Sequence, residues 1–234
     1  MNNKIRFLFF LFFSFVMCEK EIHESKTGIP VVFSLLNAGQ IKQEIFVDTT
    51  SSMYEKADSL GVSGATVKIY GPDSTYTANE VEKGRYIVET NLIPDTNYVI
   101  EVIYKDYIIR DTVFVMNIPT IIEPQENDTF YVPISKDTFK WRKVQKTYYY
   151  SIRAIYIGED TISLFPVIVK EDTICEIFNY PTMFPRTGKY QIKVMAIQED
   201  YMKYFMYEEN DWDSVFGLFS SISYDVKNVY IQTP

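Results

Sequence analysis

The feature that most constrains this chain is a two-residue alternation of apolar and polar side chains that recurs along its length. Ala65, Val67 and Ile69 alternate with Thr66, Lys68 and Tyr70, and Tyr98, Ile100, Val102 and Tyr104 alternate with Val99, Glu101 and Ile103. Further on, Phe139 and Trp141 oppose Thr138 and Lys140, and Tyr190, Ile192, Val194 and Ala196 oppose Lys189, Gln191, Lys193 and Met195. A period of two puts each apolar set on one face of an extended strand. Turn signals separate these runs: Gly71-Pro72-Asp73, Lys83-Gly84, Pro94-Asp95, Gly158-Glu159-Asp160 and Thr187-Gly188. Short strands punctuated in this way predict an all-β protein of sandwich type rather than βαβ units.

The N-terminus does not follow this pattern. Lys4 and Arg6 precede an apolar run from Phe7 to Met17 that is broken only by Ser14. A charged segment followed by a short apolar one is the pattern of an export signal. At ~1.5 Å per residue the run is too short to cross a ~30 Å hydrocarbon core as a helix. Residues 1–17 are therefore expected to be a signal peptide. Phe15-Val16-Met17-Cys18 resembles a bacterial lipobox, in which the cysteine thiol is diacylated and becomes the first residue of the mature chain; Met17 departs from the small residue usual before that cysteine. The resemblance implies lipid attachment at Cys18 and an outer-membrane lipoprotein, on its periplasmic or surface face. Ordinary cleavage and secretion is the alternative. Residues 18–30, charged and unpatterned, predict an acidic tether.

The 234 residues carry a net charge of −8, which argues against a nucleic-acid partner, since such interfaces need a basic patch. Cys18 and Cys175 are the only cysteines, so an anchored chain has no thiol pair for an internal disulfide. Cys175 lies in the alternating run Thr-Ile-Cys-Glu-Ile-Phe and is expected to be a buried strand residue.

Pro119 and Pro124 bracket a short segment and place a domain boundary near residue 118. Between about 60 and 104, Ser63-Gly64-Ala65-Thr66-Val67, Gly84-Arg85-Tyr86 and Pro94-Asp95-Thr96-Asn97-Tyr98 resemble a carboxypeptidase regulatory-like, Ig-like module. That resemblance implies a β-sandwich over 31–118 without catalytic residues. Residues 119–234 resemble fibronectin type III. Phe139-Lys140-Trp141 stands as its strand B, Tyr148 to Tyr156 as strand C and Gly188 to Ala196 as strand F, with Trp141 facing Tyr190 across the core. The combination also resembles uncharacterised bacterial envelope lipoproteins encoded beside outer-membrane nutrient receptors. A tyrosine-rich segment (Asp200 to Phe205) and Gly217-Leu218-Phe219-Ser220-Ser221 carry that likeness.

Two local patterns bear on function. Asp precedes Thr at 48, 95, 111, 128, 137, 160 and 172. Asp caps a turn and β-branched Thr opens the next strand; the same dipeptides, with their Ser counterparts, resemble O-glycosylation sequons at Thr49, Ser59, Ser74, Thr112, Thr161, Thr173 and Ser214. The second pattern is a long aromatic loop, 199–221, before a last strand expected over Ser223 to Gln232. Tyr201, Tyr204 and Phe205 fall at helical spacing, and Trp212 and Phe216 follow. Long loops are frequently functional, so these five form the candidate binding loop, for a glycan or an outer-membrane protein partner. The alternative is that their rings cover the open end of the sandwich.

Catalysis has little support. The only histidine, His23, lies in the tether, so no Ser-His or Cys-His pair forms within a domain. The acids at 208–213 lack the spacing of a calcium loop and read as a solvated face. Although the 31 acidic residues leave a carboxylate pair open, no enzyme, metal or cofactor is expected. The expectation is a non-catalytic envelope lipoprotein that binds or scaffolds, as an accessory to an outer-membrane nutrient-uptake complex. The alternative is a secreted, unanchored carbohydrate-binding sandwich.

Overall fold

The computed structural model describes residues 28–50, 61–132, 137–158, 162–163, 166–170, 172–177, 181–206 and 217–233. The signal segment and Cys18 lie outside these residues. Almost every element is a strand, and two separate hydrophobic cores divide the chain between Val115 and Met116.

Two sheets enclose the first core. One runs β4 (Thr75–Thr77), β3 (Thr66–Tyr70), β7 (Thr96–Tyr104) and β8 (Tyr107–Val115). The other holds β5 (Asn79–Glu82), β6 (Arg85–Glu89), β2 (Lys42–Thr49) and β1 (Pro30–Leu36). The sequence alternation is realised directly: Val67, Ile69, Tyr98, Ile100 and Val102 are buried between the sheets. Glycine is needed where the loops meet. A Cβ on Gly84, at φ +74°, would stand 2.3 Å from Gly61 Cα and 2.7 Å from the Val47 carbonyl oxygen. Gly28 and Ile29, read as the end of the tether, already belong to this sandwich, because their amides donate to Thr50 at 2.8 and 3.1 Å.

The second core lies between a sheet of β15 (Ile174–Glu176), β11 (Thr138–Trp141) and β9 (Ile121–Glu123) and a sheet built on β12 (Tyr149–Ile157), β16 (Gly188–Ile197) and β17 (Gly217–Gln232). The short strands β13 (Ile162–Ser163) and β14 (Val167–Lys170) flank β12, and β10 (Asp128–Tyr131) pairs with β17. Strands B, C and F of the fibronectin-like reading are thus β11, β12 and β16. Tyr190 closes a tyrosine corner at the start of β16: its hydroxyl donates to the Arg186 carbonyl at 2.9 Å. One expectation is corrected. Trp141 is buried, but its ring meets Tyr150 at 5.2 Å, whereas Tyr190 packs edge-on against Tyr156 and Phe184. Tyr150 comes from strand C in the facing sheet and takes the position beside the indole, so the strand-F ring is left to close the corner.

A second correction concerns the last strand. It begins at Gly217, not Ser223, so residues 217–221 are strand rather than loop. At ~3.3 Å per residue its 16 residues span roughly 50 Å, more than one sandwich needs. The two halves of β17 serve different domains. Gly217 to Ser221 run parallel to β1, while Ile222 to Ile231 run antiparallel to β16. The strand therefore stitches one sheet of each sandwich into a single ten-stranded sheet. Entry into this pairing demands glycine: Gly217 has φ +130°, and a Cβ there would lie 1.8 Å from the Val32 carbonyl oxygen.

A buried polar cluster locks the seam. The Gln198 amide donates to the Phe114 carbonyl at 2.8 Å, and its oxygen accepts from Ser220 Oγ at 3.1 Å and from the Ser221 amide at 2.8 Å. Ser221 Oγ donates to the same Phe114 carbonyl at 2.8 Å, and Ser223 Oγ to the Asn117 carbonyl at 2.5 Å. The interdomain connection, Phe114 to Asn117, is thereby held against β17 by side chains that satisfy its backbone. Buried carbonyls left without such donors would be costly.

Candidate functional site

The aromatic loop leaves the second sandwich through α1 (Glu199–Met206) and returns as β17 on the edge of the first. Tyr201, half-buried on α1, is brought over the outer face of β1 and β2. There it lines a groove of about 270 Å³ with Phe33, Leu35, Phe46 and Leu218, rimmed by Gln40, Lys42 and Glu44. The groove follows from the strand alternation. Val32, Ser34 and Leu36 turn inward, which leaves Phe33 and Leu35 outward; β2 likewise turns Lys42, Glu44 and Phe46 outward. Tyr204 and Phe205 lie on the same helix, but their side chains, together with all of Trp212 and Phe216 and the acids at 208–213, fall outside the described residues.

The rim is held by fixed contacts. Arg85 donates to Glu44 at 2.6 Å, a hydrogen bond that raises the guanidinium pKa above its usual value. Lys42 lies 3.5 Å from Glu89. Beneath, Gln43 clamps the β1–β2 turn: it accepts from the Asn37 amide at 2.8 Å and donates to the Asn37 carbonyl at 2.9 Å. Gln40, at the end of the groove, donates to the Tyr224 hydroxyl at 2.7 Å and so ties the groove to β17 of the second sandwich. Sequence reading identified Tyr201 but missed Phe33, Leu35 and Phe46. They stand out of phase with the buried residues of their strands, and the clue was the apolar character of both faces of β1.

The other polar clusters are structural. Glu101, buried in β7, accepts from the Tyr70 hydroxyl at 2.7 Å and pairs with Arg110. The Tyr70 hydrogen bond and the Arg110 charge hold its carboxyl below the usual range. The Asp-Thr pairs cap locally: the Thr49, Thr112 and Thr173 amides donate to the preceding aspartate at 2.7, 2.6 and 2.7 Å. Ser74, Thr112 and Thr173 are at least partly exposed, Thr49 is half-buried, and Ser59, Thr161 and Ser214 lie outside the described residues. Cys175 is buried, and burial pushes its thiol pKa up to about 11.

A family model, described as a domain of unknown function (DUF4249), matches residues 18–227. The chain belongs to this DUF4249 family. No curated protein matches. Among solved structures, one described as the structural basis for Dscam isoform specificity is 10% identical, covers 88% of this chain with 46% of its own length, and has a TM-score of 0.22. The chain thus spans less than half of that structure. The CBD12 structure from CALX1.2 is 8% identical, covers 86% of this chain and 99% of its own, and has a TM-score of 0.26. Such slight likenesses carry no argument, and the Ig-like sandwich assignment of this DUF4249 chain rests on its own strand order.

Proposed function

We propose that this DUF4249 chain is a non-catalytic binding module of the bacterial cell envelope, anchored through lipid at Cys18 and serving an outer-membrane nutrient-uptake complex. The observation that carries the binding role is the groove to which both sandwiches contribute. β1 and β2 form its floor, and Tyr201 and Leu218 from the second domain's crossover form its wall. A site on a seam locked by Gln198 and the β17 serines is pre-organised, so little ordering entropy opposes binding. The family match begins at Cys18 and excludes the preceding apolar segment, which supports the reading of that segment as a removable signal. A chain acylated at this cysteine carries more than one acyl tail, as stable anchoring requires.

Palmitate labelling tests the anchor. Label should enter the native protein and be lost in Cys18→Ala, with the protein released from membranes; unchanged membrane retention of Cys18→Ala would sink the lipoprotein reading. The secreted carbohydrate-binding alternative is favoured by the groove's own chemistry, aromatic rings beside amide and charged side chains, and predicts an unlabelled protein in the medium. For the groove, Phe46→Ser should abolish co-purification of any outer-membrane partner while leaving the melting temperature within about 2 °C of wild type, because Phe46 is already 44% exposed.

A further inference from the structure

The chain is acidic overall, yet one face is not. On the sheet face that Arg153 and Lys193 share, β14 and β16 add Lys170 and Lys189, whereas Lys227 and Asp225 of β17 stand in register with the core residues Ile192 and Val194 and so belong to the other face. Both Asp225 oxygens are engaged, accepting from the amides of Ile121 and Val226 at 2.9 Å each. Arg153 and Lys193 are direct cross-strand neighbours in the centre of this sheet and stand on its outer face, because Ile152, Ala154, Ile192 and Val194 turn into the core. Among the described residues neither has a carboxylate partner. Like charges directly opposite on a sheet destabilise it. Lys193 is folded down onto the face, its Nζ 3.5 Å from the centre of the Tyr224 ring. Desolvation first, and the nearby Arg153 charge second, lower its pKa. The next row along the sheet adds Gln191, between Ile155 and Asn228. Glu126 also reaches this face, accepting from the amide and side chain of Asn228 opposite Gln191, so donors prevail around Arg153 and Lys193 themselves.

We propose that Arg153, Lys193 and Gln191 form a binding site for a carboxylate-bearing saccharide on the outer face of the second sandwich. Arg153 offers a planar fork that matches a carboxylate in bidentate fashion, and Lys193 adds a point charge beside it. Tyr224, whose ring lies under the Lys193 ammonium, borders the site. An acidic peptide fits less well: peptides dock on strand edges or in apolar grooves, and this pair lies mid-sheet, where β12 and β16 are paired with each other. An anionic membrane surface would meet the repulsion of the chain's net charge of −8, whereas a small ligand within about 8 Å of the pair feels mainly the two cations. Gln40 bridges the groove and Tyr224, so this site continues the surface of the groove.

The proposal rests on the chain being a binding module, but not on its anchor, so the palmitate experiment and the following one fail independently. Calorimetric titration of the purified full chain in detergent should use a tri-uronate oligosaccharide, its carboxyl-reduced neutral counterpart, triglutamate and inorganic phosphate. The tri-uronate should bind, with at least tenfold weaker binding of each other probe. Arg153→Gln and Lys193→Gln should each weaken it about tenfold or more, with affinity falling as salt rises. Because like charges are being removed, neither substitution should lower the melting temperature. Triglutamate or phosphate binding as tightly as the tri-uronate overturns the saccharide assignment. Unchanged affinity in both variants, no tri-uronate binding, or a melting temperature lowered by several degrees in Arg153→Gln overturns the site.

Discussion

Replacing Gln198 by methionine tests whether the seam is held by its buried hydrogen bonds. Methionine matches the length of the side chain and keeps the packing, but it removes both the amide donor and the amide oxygen. The Phe114 carbonyl survives the change, because Ser221 Oγ still donates to it at 2.8 Å. The Ser221 amide and Ser220 Oγ do not: both lose Gln198 Oε1 as acceptor, and both belong to buried residues. Each buried donor left unsatisfied costs about 1–3 kcal/mol, so Gln198→Met should destabilise the chain by about 2–6 kcal/mol. For a protein of this size the melting temperature should fall by on the order of 10 °C. Adding Ser220→Ala removes one orphan and should restore about 1–3 kcal/mol, a coupling that a double-mutant cycle reads directly. In a Trp212→Phe background Trp141 provides the assay, since its burial beside Tyr150 makes its fluorescence report the second sandwich, while far-UV circular dichroism reports both. That background should give coincident transitions, and Gln198→Met should separate them. A Gln198→Met protein that melts within about 1 °C of wild type, or a double variant no more stable than the single one, refutes the reasoning.

Trp141→Ala should cost about 3–5 kcal/mol in chemical denaturation, towards the lower end because the buried Nε1 has no acceptor among the described residues. Glu101 has a folded-state pKa below its unfolded value, so its stabilising contribution is full above the ordinary carboxylate range and is lost as pH falls through the lowered value. Glu101→Gln should therefore be less stable than wild type at neutral pH, and the gap should shrink on acidification; a constant gap contradicts the assignment. Cys175, its thiol pKa pushed up to about 11, should resist iodoacetamide at pH 8 in the native protein and react on unfolding, as mass spectrometry would show.

How much of this was legible in the chain follows from the range of each interaction. Alternation is a local property, and it marked β3, β7, β11 and β16 because each buries one face against a facing sheet. It failed at the start of β17, where Ser220, Ser221 and Ser223 are all buried yet polar. Ser221 and Ser223 face backbone groups of Phe114 and Asn117, over 100 residues away, and Ser220 faces the Gln198 side chain just after β16; no local pattern encodes such partners. The same limit hid most of the groove. Tyr201 was suspected from its loop, but Phe33, Leu35 and Phe46 become a site only when α1 and Leu218 arrive above them from the second domain.

By itself, the sequence determined that the chain is all-β and that Cys175 lies buried in a strand, since a two-residue periodicity acts over a few residues. Only the tertiary structure decided that one 16-residue strand joins both sheets, that Trp141 meets Tyr150, and that two like charges lie side by side on an otherwise acidic protein. Register between strands distant in the chain fixes those contacts, and register is settled by the burial of whole faces and the pairing of every backbone group at once.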